Sequence, residues 1–269
     1  MAPSQGPAIS IARTLLRGLG SKSTCHDQYR RRLSTGMLKV DIKRLKSIIN
    51  KTRSSLKWRV VEYKNTDAYC FSIFSDSTSK IHNIYYPDQL FQKTEQNLVG
   101  FLHELCHAYL AETVHPQFGG IFFWPETSES IIDNVKHVFL TAQDWFVDGM
   151  VAKLCGTAFK QILSDDCDML HKLNERMSNN DKEFEYGSAL IFAQYAKYLN
   201  SDMAIDDSRL KAVKILLSID PQKISLAKLE LLTAQLLGIE NTYACKAEFN
   251  TEVGFELFRV SRLFSPLDA

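Results

Sequence analysis

The chemistry of this chain is concentrated in five consecutive residues, His103-Glu104-Leu105-Cys106-His107. This is an H-E-x-x-H pattern. On an α-helix, residues four apart lie one turn apart on the same face. His103 and His107 can therefore converge on one metal ion, with zinc the expected cofactor. Glu104 sits beside them, placed to act as general base toward a water that the metal acidifies. With seven His in the chain, a chance match is expected about once per hundred such sequences, so the pattern carries weight. Cys106, inside the motif, reads as a packed helix residue, because ligation there would break the i,i+4 geometry.

A catalytic zinc site takes three protein ligands and keeps a fourth position open. Asp144 is the leading third ligand, and Asp148 and His115 are the alternatives. Asp144 and Asp148 lie four apart in AQDWFVDGMVAKL and share a helix face. One can bind the metal while the other holds a ligating imidazole from behind. His115 directly precedes Pro116 and reaches the metal only if the helix stops near Glu112. A metzincin would carry His at position 113, where this chain has Thr113.

These residues need elements to hold them. Leu98, Phe101, Leu102, Leu105 and Tyr109 give a helix over 94–113 an apolar face. Ile132, Val135, Val138, Phe139, Ala142, Phe146 and Met150 predict a second helix over 131–155. Between them, 114–130 holds two Pro and two Gly among aromatics. It reads as an ordered loop that, with Trp124, lines a specificity pocket or acts as a lid, or equally packs as a plain surface loop. Upstream, a helix is expected over 37–56. Strands are expected near 58–63, 68–74 and 81–86, most simply as an antiparallel meander. Downstream, helices are expected over 156–174, 181–200, 206–218, 225–237 and 246–263, with Ser225 capping the fourth. The expected fold is α+β: a small antiparallel sheet packed on the H-E-x-x-H helix and a ligand helix, followed by an all-helical C-terminal region.

Composition bounds the function. The 269 residues carry 32 Lys+Arg against 31 Asp+Glu, a net charge of +1. Residues 1–36 hold six bases and one acid, so 37–269 sum to −4. A near-neutral chain with a mildly acidic body argues against nucleic acid as a partner. No run approaches a membrane span. The leader 1–36 reads as a flexible basic tail, with a transit peptide as the alternative. The six cysteines contain no C-x-x-C pair and read as reduced thiols of an intracellular protein, cytoplasmic or, if the leader targets it, mitochondrial.

Strands, then an H-E-x-x-H helix, then a helix bearing an acidic ligand resembles the compact gluzincin metallopeptidases. DWFVDGMVAKL is similar in pattern to the ligand helix of ImmA/IrrE-type peptidases, with Asp144-x-x-x-Asp148 where Glu is usual at the first position. FLHELCHAYL also resembles the helix of SprT-type, DNA-associated proteases, in which a later His completes the site; His115-Pro116-Gln117-Phe118 matches their H-G-x-x-F only loosely. The expected organisation is a metallopeptidase-like domain over 37–155 and a helical region over 156–269. The resemblance covers about 58–155 and implies a protein or peptide substrate. It implies zinc on His103, His107 and an acid, with Glu104 catalytic. The alternative is a zinc-binding pseudo-enzyme that acts as an interaction protein. An oxyanion donor is expected among His82, Tyr85, Tyr86, His115 and His137, and strand 81–86 is a candidate sheet edge for an extended substrate.

Overall fold

The computed structural model describes residues 41–64, 71–86, 94–174, 182–200 and 207–263. The basic leader, residues 37–40 of the first expected helix and residues 68–70 of the second expected strand lie outside them. Helix α1 (Ile42–Ser55) starts at Asp41, whose carboxylate accepts the Lys43 and Arg44 amides. It buries Leu45, Ile49 and Thr52 along one stripe. Strands β1 (Arg59–Lys64), β2 (Ser72–Asp76) and β3 (Ile81–Tyr86) form one sheet. Helix α2 (Glu95–Thr113), capped by Thr94, carries the H-E-x-x-H motif. Helix α3 (Glu129–Asn174) bears Asp144 and Asp148, and its backbone leaves helical geometry at Cys155 (φ −138°, ψ 47°). Helices α4 (Lys182–Leu199), α5 (Asp207–Ser218) and α6 (Leu226–Leu237) follow. Ser225 caps α6 by accepting the Lys228 amide. The chain is α+β with a helical C-terminal region, as expected.

Two expectations are corrected. The sheet is not a meander: its order is β1-β3-β2, with β1 parallel and β2 antiparallel to β3. Contacts at the base of β1 put it beside β3. Trp58 stacks on His82 at 5.0 Å, and the Arg59 amide donates to the Lys80 carbonyl. Strand 81–86 is therefore the central strand, its hydrogen bonds taken on both sides, and offers no edge to a substrate. The second correction is at the C-terminus. The segment expected as a helix over 246–263 is a hairpin, β4 (Tyr243–Asn250) with β5 (Phe255–Arg262). Its turn is set locally. The Asn250 side chain accepts the Glu252 and Val253 amides, and Gly254 takes φ +76°, a conformation other residues resist. The C-terminal region is thus helical but not all-helical.

α2 is central. Every residue from Phe101 to Ala108 is buried, so core packs around the whole helix and not on one stripe. The first half of α3 packs on it, and α4 lies along both halves of α3: Tyr186 against His137, Tyr198 against Phe159. The ligand helix is also pinned from the C-terminal side. The Trp145 indole N–H donates to the Ile219 carbonyl at 2.8 Å. Gly149 packs so closely on Pro221 that a Cβ there would lie 2.7 Å from the proline Cβ and 2.9 Å from its carbonyl oxygen. Ala normally outranks Gly in a helix by about 1 kcal/mol. Here the sign reverses: Gly149→Ala should cost roughly 1–3 kcal/mol, because backbone and not a flexible side-chain tip stands in the way. Denaturant unfolding of the purified variant measures it, and unchanged or increased stability would refute this packing. Among the described residues, no helix is long and apolar enough to cross a membrane.

Candidate metal centre

Helices α2 and α3 bring three of the expected ligands together. His103 Nε2 and His107 Nε2 are 3.0 Å apart, and Asp144 Oδ1 lies 3.4 Å from the first and 3.2 Å from the second. Ligand atoms about 2.0–2.1 Å from one tetrahedral ion stand roughly 3.3–3.4 Å from each other, so this triangle suits a single ion. The donor chemistry fits as well: two imidazoles and one carboxylate are a usual set for a first-row divalent metal. Asp144 reaches the site although its side chain is one methylene shorter than the Glu of the compact gluzincin pattern.

Both imidazoles are held from behind. His103 Nδ1 donates to Asp148 Oδ1 at 2.8 Å, and His107 Nδ1 donates to the Phe118 carbonyl at 2.6 Å. With Nδ1 engaged on each ring, Nε2 is the atom left for a metal, which on binding His103 would displace the proton that Asp144 and Asp148 stabilise there. Asp148 thus bonds the far side of the His103 ring and lies outside the triangle of His103, His107 and Asp144. The Phe118 carbonyl is fixed by its surroundings, the short 3₁₀ turn Pro116–Phe118 and Gly119. The Gly119 carbonyl accepts the Ser75 amide at 2.7 Å, and a Cβ at Gly119 would fall 2.3 Å from Ser75 Oγ. Gln143 donates to the Gln117 and Gly120 carbonyls. Gln117 in turn bonds the Phe122 and Glu256 carbonyls at 2.7 and 3.1 Å, tying the loop to β5.

The site is enclosed. His103 is 2% exposed, Glu104 4%, Asp144 6% and His107 7%, so the histidines are buried. Burial sharpens the electrostatics. It disfavours a charged His103, but the Asp148 charge and the Asp144 hydrogen bond outweigh it and raise the imidazole to about 10. Burial likewise works against an ionised Asp144, yet its hydrogen bonds to His103 and His107 hold the carboxyl well below its usual range. Cys106 is pushed well above the usual thiol range, first by burial and then by Cys155, Asp148 and Glu104. It is a neutral, packed thiol and no ligand. Cys155 and Cys245 are also unbridged.

The other expected site residues lie elsewhere. His115 caps the 3₁₀ turn and pairs with Glu256 at 3.0 Å, so it does not join the metal cluster. His82 sits between Ser75 (2.7 Å) and Glu112 (2.9 Å). That chain mimics a nucleophile–base–acid series, but Ser75 and His82 are 0% exposed and Glu112 also accepts the Lys57 and Trp58 amides. It is a buried strap joining sheet to helix, and it occupies both ring nitrogens of His82. Tyr85 stacks on Tyr63 on the outer sheet face, whereas Tyr86 alternates inward with Ile84. His137 packs against Tyr186. Trp124 lies under the Arg259 guanidinium at 4.3 Å, clamped by the hairpin and not placed as a lid.

Sequence reasoning missed Gln143, Gln194 and the Phe118 carbonyl. Gln143 had a signal, an amide next to a ligand on the ligand helix. The other two had none, since they meet the site only through tertiary packing. No family model, no curated protein and no solved structure matches this chain.

Proposed function

We propose that this chain is a zinc-dependent peptidase of the gluzincin type, acting on protein or peptide substrates. One observation carries the reading: His103 Nε2, His107 Nε2 and Asp144 Oδ1 form a triangle with sides of 3.0, 3.2 and 3.4 Å, with Glu104 next in sequence to the first ligand. Zinc bound there would supply an acidified water and a Lewis acid for the scissile carbonyl. Glu104 would be the general base of such a site, the group able to carry a proton between a water and the leaving amine. Asp148 and the Phe118 carbonyl keep the two imidazoles in the ligating tautomer. Low accessibility of the four residues excludes bulk water and strengthens each charge interaction.

The same burial favours a second reading, a structural metal clamp in a protein that cleaves nothing. One experiment separates the two. The purified chain is stripped with a chelator, reloaded with zinc, and assayed for metal content and for cleavage of an unfolded protein such as casein. One zinc per chain, with cleavage lost on stripping and restored on loading, supports the peptidase. One zinc with no cleavage supports the clamp, and no bound metal removes both.

A further inference from the structure

We infer that Gln194 is a positioning residue of the metal centre, and that the C-terminal half of the chain sets metal affinity through it. This rests on the metal-site reading above. Gln194 lies on α4, is 1% exposed, and follows the buried run Ala189–Ala193. A polar side chain in such a stretch needs a partner, and its amide nitrogen has one: it donates to Asp148 Oδ2 at 2.6 Å. The direction is fixed by chemistry, since an ionised carboxylate only accepts.

The consequence runs outward along one line of atoms. Asp148 Oδ1 holds His103 Nδ1 at 2.8 Å, and His103 Nε2 is a corner of the ligand triangle. A carboxylate held at one oxygen can still swing about its last bond. Held at both, it presents Oδ1 to the imidazole in a single orientation. Gln194 thus fixes Asp148, Asp148 fixes the ring plane and tautomer of His103, and the ring aims its lone pair. Partners of this kind, one step removed from a ligand, change metal affinity by about 10–100-fold when lost. The other imidazole is supported in the same manner. The loop that presents the Phe118 carbonyl is bonded to β5 through Gln117 and the Glu256 carbonyl. The region after α3 therefore supplies part of the metal centre and is not a detachable module.

The test uses the full chain and zinc alone, with affinity read by competition against a chromophoric chelator. Gln194→Leu should bind zinc about 10–100-fold more weakly than wild type. Its cobalt-substituted form should show a shifted visible spectrum, because the geometry at His103 has relaxed. In an Asp148→Ala background the same Gln194→Leu change should cost nothing further, since the residue it acts through is gone. Thermal unfolding of the metal-free proteins checks that each variant folds, and Gln194→Met replaces the leucine variant if that one does not. Wild-type affinity in the Gln194 variant overturns the inference. A loss that persists undiminished in the Asp148→Ala background also overturns it, since that loss would come from packing. Failure of the wild type to bind zinc is a distinct result, and it removes the metal-site reading itself.

Discussion

Glu104→Gln is expected to keep one zinc per chain and to lower peptide hydrolysis by about 10²–10⁴-fold. The amide has the shape of the carboxylate, so a side chain in a 4% exposed position is replaced without a cavity. None of the three atoms of the ligand triangle belongs to residue 104, so metal content should not move. The amide cannot accept a proton, and the water and the leaving amine lose their shared carrier. The measurements are zinc per chain and initial cleavage rate in the same preparation. Hydrolysis at the wild-type rate by the zinc-loaded variant would sink the mechanism. Joint loss of zinc and activity would mean that Glu104 shapes the site and does not serve the chemistry.

Asp144→Ala is expected to act on binding and on stability together. It removes one corner of the triangle, so zinc affinity should fall by more than the roughly hundredfold limit typical of partners one step removed from a ligand. In the metal-free protein it also removes a buried counter-charge 3.4 Å from the His103 imidazole. Breaking such a buried pair costs about 3–5 kcal/mol. The pH dependence carries a sign. His103 is raised from 6.5 to about 10 in the folded chain. The stability it contributes is therefore complete below about pH 6.5 and is lost as pH rises through 10. Asp144 is shifted downward from 3.8, so its contribution is complete above that value and is lost only as pH falls through its lowered one. Metal-free wild type should lose stability between pH 6.5 and 10, with Asp144→Ala showing a shallower loss, because Asp148 alone remains to hold the proton. Chelator-treated proteins unfolded with denaturant across that range give the comparison. Parallel slopes would show that Asp144 does not face His103.

Much of the site was legible because it is local. His103 and His107 are one helical turn apart, and any helix over 94–113 must place them on one face. Asp144 and Asp148 were legible as a pair for the same reason, as ligand and support, but not in their assignment. Which carboxylate stands beside the His103 and His107 Nε2 atoms depends on how α3 rotates against α2, and Trp145, Gly149 and Gln194 settle that through contacts made far along the chain. His115 had a plausible spacing, yet its imidazole turned to Glu256, a partner 141 residues away.

The fold divides along the same line. Helix caps at Asp41, Thr94 and Ser225 are short-range hydrogen bonds, and helix boundaries follow from them. Strand order does not. β1 lies beside β3 because Trp58 stacks on His82 and Glu112 takes the Lys57 and Trp58 amides, contacts that no period in the sequence encodes. The segment 246–263 has apolar residues that suit a helical stripe as well as a strand. The Asn250–Gly254 turn, and the pairing of β5 with the loop at Phe122 and Trp124, select the hairpin. By itself, then, the sequence determined the two imidazoles and narrowed the third donor to Asp144, Asp148 or His115, because side-chain chemistry and helical pitch are properties of short segments. Only the tertiary structure placed Asp144 in the group with His103 and His107 that could hold a metal, and Asp148 behind His103, because a buried carboxylate must satisfy both its oxygens, and the partners that do so for Asp148, His103 and Gln194, come from two other helices.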